Sequence, residues 1–320
     1  MNTLPPLQLV DDCFFIDNTF LERLTTCPRS LEYSELLRRI GSAAKPSLTF
    51  GSALHLALEQ RYRRCGNRKP DLLEESEICL ALSDFYRIPE NMPPEDDWRN
   101  LNWAIEVFKQ YNNHYATEPF DLLVNDKGEI LTELPFVLEL HKHGDIRILF
   151  SGRIDLPVLW DKQTFVIDHK TTSVLGDNFF KDHRVSPQLF GYCLAFEQIT
   201  KRKVNGFCVN AIRSRPAPAK PVGGFDRWWS EGFGRHKEYI FPHQIEEWRH
   251  NTIALIEEFF WHYERAFMPQ KKKWCVGKYG ECQYYGVCDL PPDQRPVLLS
   301  SNLFTDNTWT PLHEPSQALQ

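Results

Sequence analysis

Two carboxylates and a lysine stand close together in Ile154-Asp155-Leu156 and Val166-Ile167-Asp168-His169-Lys170. Acidic side chains are ligands for a hard divalent cation, and an ammonium group beside them can orient an attacking water. The stretches Ile146 to Leu156 and Thr164 to Lys170 are apolar and rich in β-formers. The polar Trp160-Asp161-Lys162-Gln163 separates them, so the pair reads as a hairpin. A two-residue turn at Asp161-Lys162 pairs Trp160 with Gln163 and, in the same register, sets Asp155 opposite Asp168. Lys170 lies two residues beyond Asp168 and faces the same side. Asp-Lys is not a favoured two-residue loop, and a longer loop would shift this register. Two carboxylates so placed repel unless a cation or a proton lies between them, and Mg²⁺ or Mn²⁺ would relieve that repulsion. The alternative is an exposed hairpin with ordinary surface charges.

Other residues bear on that choice. His55 lies beside the apolar stripe of Phe50-Gly51-Ser52-Ala53-Leu54-His55, where it could ligate a metal or simply pair with Glu59 one turn on. Gln188 and Tyr192 share a helical face and could hold Lys170 or a nucleic-acid backbone, or be part of an ordinary amphipathic helix. Glu133, on a strand from Leu131 to Leu140, is either an outer or second metal ligand or a solvent-facing glutamate. Cys275, Cys282 and Cys288 cluster near the C-terminus, with Cys27 far upstream. Four thiolates can hold an iron–sulfur cluster or Zn²⁺. The paired CxxC of a zinc ribbon is missing, which favours a cluster stapling the chain ends. Cys13, Cys65, Cys79, Cys193 and Cys208 sit in apolar or helical contexts and read as core.

The elements that must position these groups follow from periodicity and punctuation. Helices are expected over Phe20 to Ile40, with Pro28 in a first turn, and over Leu48 to Cys65, Leu72 to Tyr86 and Asp97 to Tyr115. Strands are expected between Ile130 and Lys170. Ser186-Pro187 should cap a helix running to Gln198. Strands at Val204 to Ile212 and Arg235 to Phe241 flank a loop at Ser214 to Phe233. Gln244 to Met268 is a long helix, and the chain after Asp289 reads as a flexible tail.

The chain has 320 residues, 42% hydrophobic and 25% charged, which suits a soluble globular protein. No apolar run reaches the roughly 18 residues of a membrane span, and no signal peptide is evident, so a cytoplasmic location is expected. A net charge of −6 excludes a general polycation but leaves local basic patches at Lys201-Arg202-Lys203, at Arg213 with Arg215, and at Lys271-Lys272-Lys273. No P-loop is present, so no ATP motor of its own is expected.

Taken together, Cys27-Pro28, Gly51-Ser52-Ala53-Leu54-His55, Gly152-Arg153-Ile154-Asp155, Ile167-Asp168-His169-Lys170-Thr171, Gln188-Leu189-Phe190-Gly191-Tyr192 and the three C-terminal cysteines occur in an order that resembles the RecB-like branch of the PD-(D/E)XK nuclease superfamily. The closer resemblance is to its iron–sulfur members, which include CRISPR-associated and phage exonucleases. It spans about Phe20 to Cys288. The resemblance implies an α/β restriction-endonuclease-like core, a central mixed sheet flanked by helices, with N- and C-terminal helical parts joined by a cysteine-ligated cluster. It divides the chain at 1–128, 129–241 (the core), 242–290 and 291–320. It implies Mg²⁺ or Mn²⁺ on His55, Asp155 and Asp168 with help from the His169 carbonyl, catalysis by Lys170, and support from Gln188 and Tyr192. Cys27, Cys275, Cys282 and Cys288 would hold a 4Fe–4S cluster, with Zn²⁺ as the alternative. The implied activity is a DNA exonuclease on single-stranded or duplex ends, in recombination, repair or phage and CRISPR DNA processing, with a helicase or recombination partner. A non-catalytic DNA-binding or assembly subunit is the other reading. The six-residue interval between Cys275 and Cys282 is longer than the family's commonest form. Pro157, just after Asp155, calls for an edge or a distortion near the site.

Overall fold

A computed structural model describes residues 4–43, 46–86, 98–277 and 280–307. In chain order the elements are β1 (Cys13–Ile16), α1 (Asn18–Thr26), α2 (Pro28–Leu31), a π-helical turn (Glu32–Leu36), β2 (Arg39–Gly41), α3 (Pro46–Cys65), α4 (Leu72–Phe85) and α5 (Leu101–His114). Then come β3 (Asp121–Leu122), β4 (Leu134–His143), β5 (Ile146–Ile154), β6 (Leu156–Trp160), β7 (Gln163–Thr172), α6 (Asp177–Arg184), α7 (Pro187–Thr200) and β8 (Gly206–Arg213). The remainder comprises α8 (Gly224–Ser230), β9 (Phe233–Tyr239), α9 (Pro242–Glu264), a 3₁₀ turn (Lys272–Trp274), β10 (Val276–Gly277), β11 (Gly280–Glu281), α10 (Tyr285–Asp289), α11 (Arg295–Leu299) and β12 (Phe304–Asp306). The chain forms two compact units. One comprises Met1–Ala43, Val137–Gly152 and Glu246–Gln320, and the other Ala44–Phe136 and Arg153–Ile245.

The second unit is built on a mixed five-stranded sheet of order β3-β6-β7-β8-β9. Only β7 and β8 run parallel, and the crossover that a parallel pair requires carries α6 and α7. Side chains alternate along β7. Phe165 and Ile167 join the core made with α3, α4 and α5, while Lys170, of the opposite parity, meets Gln188 of α7. The sheet is thus layered between helices, as expected.

The β6–β7 hairpin has the register read from the sequence, with Trp160 against Gln163 and Leu156 against Ile167. Its turn residues Asp161 and Lys162 both take the left-handed conformation, φ 53° and 63°, that a two-residue turn needs to match strand twist. Lys237 Nζ, 3.1 Å from Asp161 Oδ2, ties the turn to β9. Pro157 pairs with Val166, a position whose N–H would point away from β7. On that side β3 pairs only with Val158 and Leu159, so no ladder bond is lost.

In the first unit β1 runs parallel to β5, with β4 on β5's other side. His141 and His143, two apart on β4, both reach Glu257 of α9. Their ring nitrogens lie 2.6 and 3.2 Å from its carboxylate, and His143 also meets Glu264 at 3.1 Å. Tyr33, Tyr284, Val287, Leu299 and Phe304 form a separate small core.

Several expectations are corrected. The helix over Phe20 to Ile40 is broken at Cys27 and ends in the π-helical turn, and Ile40 lies in β2, paired with Thr305 of β12. Within the described residues, the expected flexible tail therefore supplies α11 and β12. The expected loop at Ser214 to Phe233 contains α8. Ser186 stands at the start of α7, but its side chain makes no capping bond and Pro187 alone marks the start. The helix expected from Asp97 begins at Leu101, capped by Asn100, and Asp97 lies outside the described residues.

Candidate active site

Asp155 sits in the bend between β5 and β6, where the strand breaks and the carboxylate is released from the pleat. It is buried, and its Oδ2 accepts a 2.7 Å bond from the His169 backbone N–H on β7. Its own carbonyl accepts from Glu133 N at 2.8 Å and from Thr132 Oγ1 at 3.1 Å, which ties the approach to β4 to the bend. Glu133 is held at φ 47°, a conformation that costs a side-chain-bearing residue energy and that recurs at functional sites.

His55 projects from α3 into this corner. Its Nδ1 lies 3.5 Å from Asp155 Oδ2 and 3.6 Å from Glu133 Oε1, and its Nε2 is 2.8 Å from the His169 carbonyl. Gly51, one turn earlier, explains the approach. A Cβ there would lie 3.3 Å from Thr171 Oγ1, so even alanine would need that side chain to give by a few tenths of an ångström. Glu59, the alternative partner of His55, pairs with Arg63 instead. Among the described residues, His55, Glu133 and Asp155 are the group of three whose ligand atoms fall within 4.8 Å of one another.

Lys170 reaches from β7 toward α7, near enough to His55 and Asp155 for its charge to act on both. Its Nζ is 2.9 Å from Asp168 Oδ2 and donates to Gln188 Oε1 at 2.9 Å, while Gln188 Nε2 donates to Tyr192 Oη at 2.8 Å. Asp168, Lys170, Gln188 and Tyr192 thus form one hydrogen-bonded row. Asp168 faces the lysine, whereas Glu133, given the weaker expectation, is the second carboxylate at His55.

Burial works against charging His55, but Asp155 and then Glu133 outweigh it and lift the imidazole to about 9. Burial, only partly offset by His55, raises the Asp155 carboxyl above the usual carboxylate range, and Asp168 and Glu133 add to the rise. Burial likewise holds the Tyr192 phenol protonated. A nitrogen, two carboxylates and a backbone carbonyl converging at this corner suit a hard divalent cation, which would relieve the strain between the acids.

Beneath the site runs a charged network with no sequence signature. The His169 ring, kept neutral chiefly by burial, accepts at Nδ1 from Asn210 Nδ2 at 2.7 Å. Asn210 Oδ1 accepts from Arg235, and Arg235 and Arg61 both bond Glu118, at 2.6 and 2.8 Å. Arg61 and Glu118 are wholly buried, and Arg235 is nearly so. The one available hint was placement: Arg61 adjoins the apolar stripe of α3.

In the other unit Cys27, Cys275, Cys282 and Cys288 line a single pocket with Lys271, Trp274, Tyr284 and Tyr285. Cys27 precedes Pro28 at the start of α2 and accepts from Lys271 N at 3.5 Å, and Gln270 Nε2 lies 3.7 Å from Cys275 Sγ. All four thiols are free.

A family profile described as the PD-(D/E)XK nuclease superfamily matches residues 19–289. A 166-residue stretch is 24% identical to one chain of an ATP-dependent helicase/nuclease from Clostridium botulinum, a match covering 48% of this chain and 12% of that protein. A solved structure of a presumed exonuclease from Eubacterium rectale aligns over 82% of this chain and 85% of its own at 9% identity, with a TM-score of 0.45.

Proposed function

Because the chain belongs to the PD-(D/E)XK nuclease superfamily, we propose that it is a metal-dependent deoxyribonuclease that removes nucleotides from single-stranded DNA ends. The observation that carries this reading is the convergence of His55, Glu133 and Asp155 beside a lysine held between Asp168 and Gln188. Mg²⁺ or Mn²⁺ would be held by His55, Asp155, Glu133 and the His169 carbonyl, with Asp168 next to them holding Lys170. When bound, the cation supplies Lewis-acid charge to the scissile phosphate and to the attacking water. Lys170 orients that water and offsets the negative charge that gathers on the phosphate in the transition state. Asp168 and Gln188 fix the ammonium group, and Tyr192 fixes Gln188.

The four cysteines hold an iron–sulfur cluster in this reading. Support comes from the pocket that the four thiols share. The helicase/nuclease name of the Clostridium relative supports a helicase partner.

Release of nucleotides from labelled single-stranded DNA with Mn²⁺ tests the activity. No release with any divalent metal would favour a DNA-binding or assembly subunit. A brown anaerobic preparation with a broad shoulder near roughly 400 nm is expected of thiolate-ligated iron, and a colourless zinc-loaded one would refute it.

A further inference from the structure

The two carboxylate oxygens of Glu133 have different neighbours. Oε1 lies 3.6 Å from His55 Nδ1, and Oε2 lies 3.4 Å from Arg153 Nε. Exposure rises from the acids outward. The Asp155 and Glu133 side chains are 8% and 10% exposed, that of His55 is 31% and that of Arg153 is 37%. Solvent thus reaches the acidic corner past His55 and Arg153.

Arg153 stands near the end of β5, two residues before Asp155, and its hold on Glu133 is slight. An arginine that braces a carboxylate ordinarily presents two N–H groups to the two oxygens. Arg153 instead brings one nitrogen to 3.4 Å of one oxygen, and it makes no hydrogen bond among the described residues. A guanidinium carries five N–H donors and keeps its charge at any working pH, so donors are left over at the mouth of the site.

The neighbouring cations are engaged elsewhere. Lys170 is held by Asp168 and Gln188, while Arg61 and Arg235 are buried on Glu118. Arg63 lies 2.8 Å from Glu59, the remaining acid at this mouth. Burial raises the Glu59 carboxyl, and it feels the charge of Arg63 ahead of that of Arg153. A DNA strand presents a phosphate at every nucleotide, and the planar fork of a guanidinium fits phosphate oxygens in pairs. Charge that Glu133 gives to a cation is charge it no longer offers Arg153.

Resting on the nuclease reading, we propose that Arg153 binds a backbone phosphate of the DNA strand at the mouth of the metal site, rather than serving as a brace for Glu133. Its contact fixes where the strand lies and carries no information about sequence, because it is made to the backbone.

The test is fluorescence anisotropy of a labelled oligothymidylate with Mn²⁺ over a series of NaCl concentrations, in a Lys170→Ala background so that the strand stays whole. Adding Arg153→Gln should weaken binding about tenfold. It should also lower the slope of log affinity on log salt by about 0.7, the loss of one phosphate contact on a single strand. Arg153→Lys keeps the charge but not the fork, so it should keep the slope and recover only part of the affinity. Without DNA, Mn²⁺ binding to Arg153→Gln should be at least as tight as in the parent by isothermal titration, because a positive charge beside Glu133 is gone. A parent protein that does not bind the strand, or an unchanged slope in Arg153→Gln, overturns the proposal. So does weaker Mn²⁺ binding in Arg153→Gln, which would make the arginine a brace for the metal ligand. Thermal melts identify a variant that has failed to fold, and Arg153→Lys keeps the test open in that case. The nuclease reading fails separately: if the slope falls as expected but the wild-type protein releases nothing with Mn²⁺, that reading alone is lost.

Discussion

Lys170 is held by an acid and an amide at once, and that double hold separates it from a surface lysine. Gln188→Ala removes one of the hydrogen bonds that fix the ammonium group. Nucleotide release should then fall by about tenfold to a hundredfold in kcat with KM little changed, as single-turnover kinetics would show. Glu133→Gln should weaken Mn²⁺ binding in an isothermal titration while leaving the fold intact, because that carboxylate faces His55. The pairing of Lys170 with Asp168 was legible from strand parity, while the placement of His55 beside Asp155 was expected only from the resemblance. Glu133 was only half legible: its strained φ and its bond to the Asp155 carbonyl depend on a chain crossing that no local pattern encodes. Asn210, Glu118 and Arg235 were not legible at all, since their meaning lies in contacts between residues far apart in the chain.

At the level of elements, the β6–β7 hairpin is the device that sets the site, and its register was readable although its turn chemistry is poor. Lys162 bears a side chain at φ 63°, so Lys162→Gly should stabilise the protein by up to about 1 kcal/mol in urea unfolding. Helix ends were less readable. Cys27 interrupts the first helix because it must leave helical geometry ahead of Pro28, and Ile40 is drawn into a strand by residues far down the chain. The buried triad below the site makes a sharper prediction. Glu118→Gln leaves Arg61 and Arg235 buried without their countercharge and should cost about 3–5 kcal/mol. On β4 and α9, burial opposes charging His143, but Glu264 and Glu257 raise its pKa above the ordinary histidine value. A raised folded pKa adds stability that is fully present below about 6.5 and is lost as pH rises through the folded value. His143→Gln should therefore lower the melting temperature at pH 6 and leave it nearly unchanged at pH 9.

For the whole molecule, the family, the mixed sheet and the four-cysteine grouping were readable because each is written in ordered motifs. The division into two units was not, because each unit draws on separated stretches of chain. The first unit joins the chain's ends twice over, through β2 with β12 and through the cysteine pocket. On the proposed iron–sulfur reading, Cys282→Ser should abolish the iron chromophore and lower that unit's melting temperature. The most direct test of the central claim compares nucleotide release from single-stranded DNA by the wild-type and Lys170→Ala proteins at saturating Mn²⁺, with Mn²⁺ binding measured on both. The wild-type protein should release nucleotides, and Lys170→Ala should lose at least about a hundredfold in rate while still binding metal. Equal rates for the two proteins would contradict the site described here.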